Sequence, residues 1–131
     1  MPLEFDVSPD EIDAFMEDTN EQLALLDQSI VELETRPNDE ALLQGIFRAA
    51  HTLKGNAGLI QHHRMAELTH ALETVLDKVR KGRLAVTPEL IDVILSSVDG
   101  LKALKEELVT REESDVDVAS AVHLLHSYDG G

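Results

Sequence analysis

The sequence lacks cysteine and tryptophan and has few aromatic residues of any kind. The absence of cysteine excludes disulfides, thiolate metal sites and thiol catalysis, and it fits a reducing compartment. Aromatic residues make up only 3% of a chain that is 43% hydrophobic, so aliphatic side chains must fill the core. At 131 residues the chain is long enough for one core, and we assign residues 1–131 to a single domain.

Basic residues and long apolar runs are also scarce. Acidic residues outnumber basic ones 26 to 11, and the resulting net charge of −15 argues against binding to nucleic acid or to anionic lipid. No apolar run approaches the roughly 20 residues that a bilayer crossing needs. The acidic start, residues 1–6, is unlike a signal peptide. We therefore expect a soluble, cytoplasmic protein with no membrane insertion.

Apolar residues recur at steps of three and four along most of the chain, which predicts amphipathic helices. The first helix opens at Ser8-Pro9-Asp10-Glu11 with a capping box and runs to Arg36. The second begins after Asn38 or Asp39 and ends near residues 61–63. The third ends at Gly82, and the fourth begins at Thr87-Pro88-Glu89.

Four helices with short connections predict an all-α fold, an antiparallel up-and-down four-helix bundle over about residues 8–110. A short additional C-terminal helix is expected over about residues 115–128, laid against the bundle. Gly100 is expected to loosen one turn of the fourth helix, and residues 128–131 are expected to fray. No segment alternates in the manner of a strand.

His51 stands out in the second helix because it lies about 100° round from Ala50, beside the apolar stripe. The same helical strip continues through Gly55, Gly58 and His62, which predicts an open surface where a partner can dock. Mid-helix glycines cost about 1 kcal/mol each relative to alanine, so something should compensate for them. Close packing between helices is the alternative explanation for them.

The predicted hairpin between the second and third helices brings charged groups to His51. Residues equally distant from a turn at His62 should face each other, which pairs His51 with Glu73 and Lys54 with His70. A carboxylate that accepts the Nδ1 proton leaves Nε2 as a nucleophile. Lys54 could then counter the charge of a phosphoryl group, and His70 could orient the acid. The alternative is an amphipathic boundary histidine beside solvated charges.

A metal site has weaker support. His62 and His63 are adjacent and should diverge, while His51 and His70 lack a second ligand at a spacing of four residues. We therefore expect no metal and no cofactor bound by this chain.

Three segments carry a resemblance to a known family: Ile46 to Gly58 (IFRAAHTLKGNAG), Ala66 to Glu73 (AELTHALE) and Thr87 to Asp92 (TPELID). Over roughly residues 10–110 the chain resembles histidine phosphotransfer domains, in particular the amino-terminal domains of CheA-type chemotaxis kinases. The resemblance implies that His51 is the phosphoacceptor, that Glu73 holds its Nδ1 side, and that Lys54 and His70 assist. Gly55 matches the position that stays small beneath a docking partner.

The resemblance also implies partners. A separate CheA-type kinase catalytic domain would supply the phosphoryl group from ATP, and a CheY-like response regulator receiver domain would take it, with Mg²⁺ on the kinase and the receiver. This makes the chain a phosphate carrier in two-component signalling and no enzyme by itself. A non-catalytic helical interaction module is the alternative, and an autonomous acid–base or metal enzyme is a third possibility.

Overall fold

In a computed structural model that describes residues 3–128, the chain forms five α-helices, and no strand occurs in that range. This confirms the predicted all-α class. Asp129 to Gly131, where fraying was expected, lie outside the described residues. The helices are α1 (Pro9–Thr35), α2 (Glu40–Leu59), α3 (His63–Arg80), α4 (Pro88–Thr110) and α5 (Val118–His126).

The first four helices pack as the predicted up-and-down bundle. Helix α1 packs against α2 and α4, and α3 packs against the same two helices, so each helix touches its sequence neighbours. Helix α5 lies mainly on α3, with a smaller contact to α4. The core is aliphatic, as the composition predicted. Its largest fully buried side chains include Leu23, Leu26, Ile30, Leu33, Ile46, Leu53, Met65, Leu68, Leu72, Leu76, Leu90 and Ile91.

Local signals set the helix ends much as the sequence predicted. Ser8 caps α1 in a reciprocal capping box with Glu11. Asp39 and Thr87 cap α2 and α4 through their side-chain oxygens. Gly82 takes a left-handed φ of +74° just after α3, a conformation that costs glycine little. The connections are therefore short and defined, which fixes how neighbouring helices face each other.

The turn between α2 and α3 is tight. The N–H of Gln61 donates to the Gly58 carbonyl at 3.2 Å, and that of His62 donates to the Ala57 carbonyl at 3.0 Å. This is a Schellman ending in which Gln61, with φ of +61°, holds the left-handed position usually given to glycine. The predicted hairpin is thus confirmed, with its turn at residues 60–62.

His62 does not lie on the surface where the sequence analysis expected it to meet a partner. Its side chain is buried, with 2% of the residue exposed, and its Nδ1 accepts from the Met65 N–H as the N-cap of α3. Nε2 therefore carries the proton and donates to the Leu104 carbonyl at 2.8 Å. The earlier expectation failed because the helix ends at Leu59, so the strip through Gly58 no longer continues to residue 62.

A buried carboxylate, which the apolar pattern did not predict, lies beside this histidine. Glu107 is 1% exposed, and its Oε2 accepts from Arg64 at 2.6 Å and from the backbone N–H and hydroxyl of Ser114 at 2.8 and 2.6 Å. Burial raises the pKa of Glu107, but the hydrogen bonds from Ser114 and Arg64 outweigh it and leave the pKa below its usual range. Arg64 also donates to the Val116 carbonyl at 2.7 Å. The network ties α3 to the end of α4 and to the segment before α5.

Gly100 does not loosen α4, contrary to expectation. The helix runs without a break from Pro88 to Thr110. A Cβ at residue 100 would lie 3.3 Å from Leu68 Cδ2 and 3.5 Å from Val116 Cγ1. The glycine therefore serves close packing of α4 against α3 and the segment before α5.

The free energy of unfolding should fall in acid because of His62. Burial lowers the pKa of His62 below 6.5, against the opposing effects of the Leu104 carbonyl and the Glu107 charge. The unfolded chain then binds a proton at a higher pH than the folded chain does. The stabilisation is complete above about pH 6.5 and declines as the pH falls toward the folded pKa, by at most about 1.4 kcal/mol per pH unit.

Urea unfolding measured from about pH 7.5 to about pH 5 checks this expectation. His62→Asn keeps an N-cap acceptor but removes the titrating ring, so its stability should depend less on pH than that of the wild type. His63→Asn, a change at the exposed neighbouring residue, is the matched control and should retain the wild-type slope. Equal slopes in the wild type and His62→Asn would contradict the assignment.

Candidate functional site

His51 lies on the outer side of α2, next to the fully buried Ala50, as its position beside the apolar stripe predicted. Its side chain is 63% exposed. Nδ1 lies 2.6 Å from Oε2 of Glu73 on α3, which is the pairing obtained by counting residues from the turn. An exposed imidazole therefore has one nitrogen held by a carboxylate and the other edge directed away from it.

Glu73 also binds Lys54. The Lys54 ammonium donates to Oε1 at 2.8 Å, so the two oxygens of one carboxylate serve two side chains of α2. Only 12% of the Glu73 side chain is exposed, compared with 34% of Lys54. Burial raises the pKa of Glu73, but the hydrogen bonds and charges of Lys54 and His51 outweigh it and lower the pKa. Glu73 is thus ionised at neutral pH.

His70 does not join this group as the sequence count suggested. It lies one turn before Glu73 on α3, its side chain is exposed, and within residues 3–128 it makes no side-chain hydrogen bond. Lys54, which was paired with His70 by counting, reaches Glu73 instead. Counting residues from the turn predicts which positions of α2 and α3 lie at the same level. It does not predict whether the long side chain of Lys54 reaches His70 or Glu73.

The geometry sets the chemistry of the histidine. When Nδ1–H donates to the Glu73 carboxylate, a neutral ring carries its lone pair on Nε2. That nitrogen is on an exposed side chain and makes no hydrogen bond within the described part of the chain. The carboxylate also stabilises positive charge that develops on the ring during attack. The arrangement suits Nε2 as a nucleophile toward an electrophile brought by another molecule.

Gly55 and Gly58 leave the surface beyond His51 open. A Cβ at either residue would meet no heavy atom within 4 Å, and both residues are exposed. Close packing between helices, the alternative explanation, therefore does not account for them. Because these residues lack side chains, the surface next to His51 is open to another molecule.

Neither a metal-binding cluster nor a membrane-spanning helix occurs among the described residues. Residues 3–128 contain no group of three or more histidine, aspartate or glutamate side chains that could hold a metal ion. No helix in that range is both long enough and apolar enough to cross a membrane.

Phe47 was not among the site residues predicted from the sequence, although its position four residues before His51 was an available signal. Its ring stacks against the His51 ring with 6.2 Å between centroids and 19° between planes. The Arg80 guanidinium of α3 lies 3.9 Å from the centroid of the same Phe47 ring. The site thus includes an aromatic ring beside His51 and a guanidinium over that ring.

Fold and site together define a helical bundle that presents a carboxylate-bound histidine to the solvent. The Hpt domain family matches residues 10–110, and the chain belongs to that family. The chain is also 36% identical over 118 residues to the chemotaxis protein CheA of Halobacterium salinarum, a match covering 90% of this chain and 18% of the relative. It thus spans less than a fifth of that relative's length.

Solved structures agree with this assignment. The CheA phosphotransferase domain from Thermotoga maritima is 38% identical, with a TM-score of 0.74 over 79% of this chain and 99% of that domain. The phosphorylated P1 domain of CheA3 from R. sphaeroides, in complex with CheY6, has a TM-score of 0.79 over 90% of this chain and 94% of that one. Its identity of 22% supports likeness of fold alone.

Removal of the Glu73 carboxylate should end the preference of the His51 ring for the tautomer protonated at Nδ1. Glu73→Ala deletes the acceptor of Nδ1–H, so the ring should redistribute its proton between Nδ1 and Nε2. The ¹⁵N chemical shifts of the His51 ring, measured by NMR on the folded chain at alkaline pH, report this directly. Glu67→Ala, at an exposed position of the same helix, is the matched control. Identical His51 shifts in the wild type and Glu73→Ala would contradict the assigned role.

Proposed function

We propose that the chain is a phosphorelay carrier of two-component signalling in chemotaxis. His51 accepts a phosphoryl group from ATP held by a CheA-type kinase catalytic domain and passes it to an aspartate of a CheY-like receiver domain. The observation that carries the proposal is the 2.6 Å contact between His51 Nδ1 and Glu73, which leaves Nε2 exposed. Membership of the Hpt family supports the same chemistry.

In the first step, the Nε2 lone pair of His51 attacks the γ-phosphorus of ATP. The N–P bond forms as the bond from phosphorus to the bridging oxygen breaks, and ADP leaves with that electron pair. The Nδ1 proton stays on the ring and donates to the Glu73 carboxylate, which offsets the positive charge that develops on the ring. The catalytic groups that bind ATP and Mg²⁺ belong to the kinase domain, so this chain acts as a carrier.

In the second step, an aspartate oxygen of the receiver attacks the same phosphorus. The N–P bond breaks, and its electron pair returns to Nε2. The Lys54 ammonium, which binds Glu73 Oε1 at 2.8 Å and lies about one turn along α2 from His51, is the candidate to offset the charge of the phosphoryl group. A positive charge at this position is favourable because the chain already has a net charge of −15 and the phosphoryl group adds further negative charge.

The assignment of partners draws on the relatives. CheA of Halobacterium salinarum is named a chemotaxis protein, and the R. sphaeroides P1 domain is phosphorylated and bound to CheY6. By extension, the kinase catalytic domain and a receiver are the partners of this chain. A cytoplasmic location follows from the same proposal, since ATP is the phosphoryl source. Docking of both partners falls on the surface around His51, Gly55 and Gly58.

Substitution of His51→Gln should abolish acid-labile phosphorylation without unfolding the domain, because 63% of the His51 side chain faces solvent. The measurement is uptake of label from γ-³²P-ATP in the presence of a CheA-type kinase core, followed by a chase onto a receiver domain. Circular dichroism verifies the fold. His63→Gln, a change at another exposed histidine, should accept label as the wild type does.

Phosphorylation that persists in His51→Gln would overturn the proposal. Partner binding without any phosphoryl uptake by the wild type, across several kinase cores, would instead favour the non-catalytic interaction module. Turnover by the isolated chain would favour an autonomous enzyme.

Gly55 should matter for partner access and not for folding. Gly55→Gln adds a good helix former at an exposed position with open space around it, so stability should rise by up to about 1 kcal/mol. The same side chain protrudes one turn beyond His51 and should slow phosphoryl transfer to the receiver. Urea unfolding and the rate of the chase measure the two effects separately.

Gly45→Gln is the matched control, since a Cβ at Gly45 on the same helix also meets nothing within 4 Å. This variant should gain stability and transfer its phosphoryl group at the wild-type rate. Equal transfer rates in the two glutamine variants would contradict a role for Gly55 in access.

A further inference from the structure

The contact with Glu73 fixes one edge of the His51 ring and leaves its plane undetermined. A single hydrogen bond from Nδ1 to Oε2 allows the ring to pivot about the line joining the two atoms. The χ2 torsion of histidine has broad energy minima, so it does not hold the plane by itself. With 63% of the side chain in solvent, core packing does not hold it either. A second contact is needed if Nε2 is to keep one direction.

Phe47 is the second neighbour of the ring and stacks beside it with a nearly parallel plane. It lies one turn before His51 on α2, and helical side chains lean toward the N-terminus, which brings the imidazole over that turn. The ring centroids are 6.2 Å apart and the planes differ by 19°, within the range of stacked aromatic pairs. Phe47 itself is half-buried and packs against the core. It is therefore a firmer support than a solvated side chain.

Arg80 in turn restrains Phe47. Its guanidinium carbon lies 3.9 Å from the ring centroid, a close cation–π contact. Nε and Nη2 of Arg80 approach Oδ1 of Asp77 at 2.8 and 2.7 Å, and Nη1 donates to Oε1 of Gln44 at 3.1 Å. A guanidinium bonded on two sides is fixed in position. The restraint thus runs from Asp77 and Gln44 through Arg80 to Phe47 and then to the imidazole.

We infer that Phe47, backed by Arg80, is a positioning residue that sets the plane of the His51 imidazole and so directs Nε2 toward the incoming phosphorus. This inference rests on the proposed function. Glu73 determines which nitrogen is the nucleophile, and Phe47 determines where that nitrogen points. Alignment of a nucleophile with its target affects the chemical step more than the association of partners.

A simpler interpretation is that Phe47 only fills space beside the core. Phe47→Leu distinguishes the positioning role from the space-filling role, because leucine retains an apolar side chain and lacks a flat ring. Phe47→Tyr restores the flat face and is the conservative rescue. Arg80→Gln leaves Phe47 in place and removes the guanidinium over its ring, together with the contacts of that guanidinium with Asp77 and Gln44. This variant keeps the inference testable if the change at Phe47 disturbs folding. Arg83→Gln, the loss of an exposed cation just beyond α3, is the matched charge control.

The first measurement is NMR relaxation of the ¹³C-labelled His51 ring in the unphosphorylated full chain. Phe47→Leu should lower the order parameter of the ring while the ¹⁵N shifts still report the tautomer held by Glu73. Phe47→Tyr should restore the order parameter, Arg80→Gln should lower it partly, and Arg83→Gln should leave it unchanged. Unchanged order in Phe47→Leu and Arg80→Gln would overturn the inference.

The second measurement is steady-state phosphorylation of the same variants by a CheA-type kinase core. Phe47→Leu should lower kcat by about 2- to 10-fold, the range that one aromatic pair is worth, and leave KM unchanged. A loss confined to KM would overturn the inference, because it would make Phe47 a docking contact. So would a Phe47→Tyr variant as slow as Phe47→Leu. Absence of uptake by the wild type would refute the proposed function, while the ring order would still decide the positioning role.

Discussion

The arrangement of the site depends on the carboxylate of Glu73, which joins α3 to two side chains of α2. One oxygen binds His51 and the other binds Lys54, at 2.6 and 2.8 Å. A slip of one residue between these helices would move Glu73 by about 1.5 Å along the axis and about 100° around it, and both contacts would be lost. The tight turn at Gln61 and the cap at His62 exclude that slip. The turn and the carboxylate therefore specify the same register from two ends of the hairpin.

His51 and His62 differ in role because their surroundings differ. Both ring nitrogens of His62 are used in hydrogen bonds, to the Met65 N–H and the Leu104 carbonyl, and burial lowers its pKa. It is therefore held neutral, with no lone pair left for a reaction. His51 uses one nitrogen within the chain and leaves the other exposed. His51 can react because one of its ring nitrogens has no partner within the chain. His62 stabilises the fold because both of its ring nitrogens are hydrogen-bonded.

The sequence predicted the five helices, the hairpin and the pairing of His51 with Glu73, because these depend on periodicity, capping residues and a constant rise per residue. It misplaced His62, since a helix that ends at Leu59 breaks the strip on which the prediction depended. It placed Lys54 opposite His70 and missed the contact of the Lys54 ammonium with Glu73, because counting does not determine where a flexible side chain ends. Glu107 was missed because its partner Arg64 is distant in sequence, its partner Ser114 lies in an irregular segment just after α4, and a charge is ordinarily assigned to the solvent.

A carrier that serves two partners places a stricter demand on its histidine than an enzyme with one substrate does. Under the proposed function, the kinase domain and the receiver each meet the same Nε2 with phosphorus in line. The orientation of the ring must therefore be built into the carrier. A helix supports this better than a loop, because its backbone holds Phe47, His51 and Lys54 at fixed intervals on one surface. In the same proposal, the open surface at Gly55 and Gly58 gives each partner access, at a cost in helix stability that a well-packed core can offset.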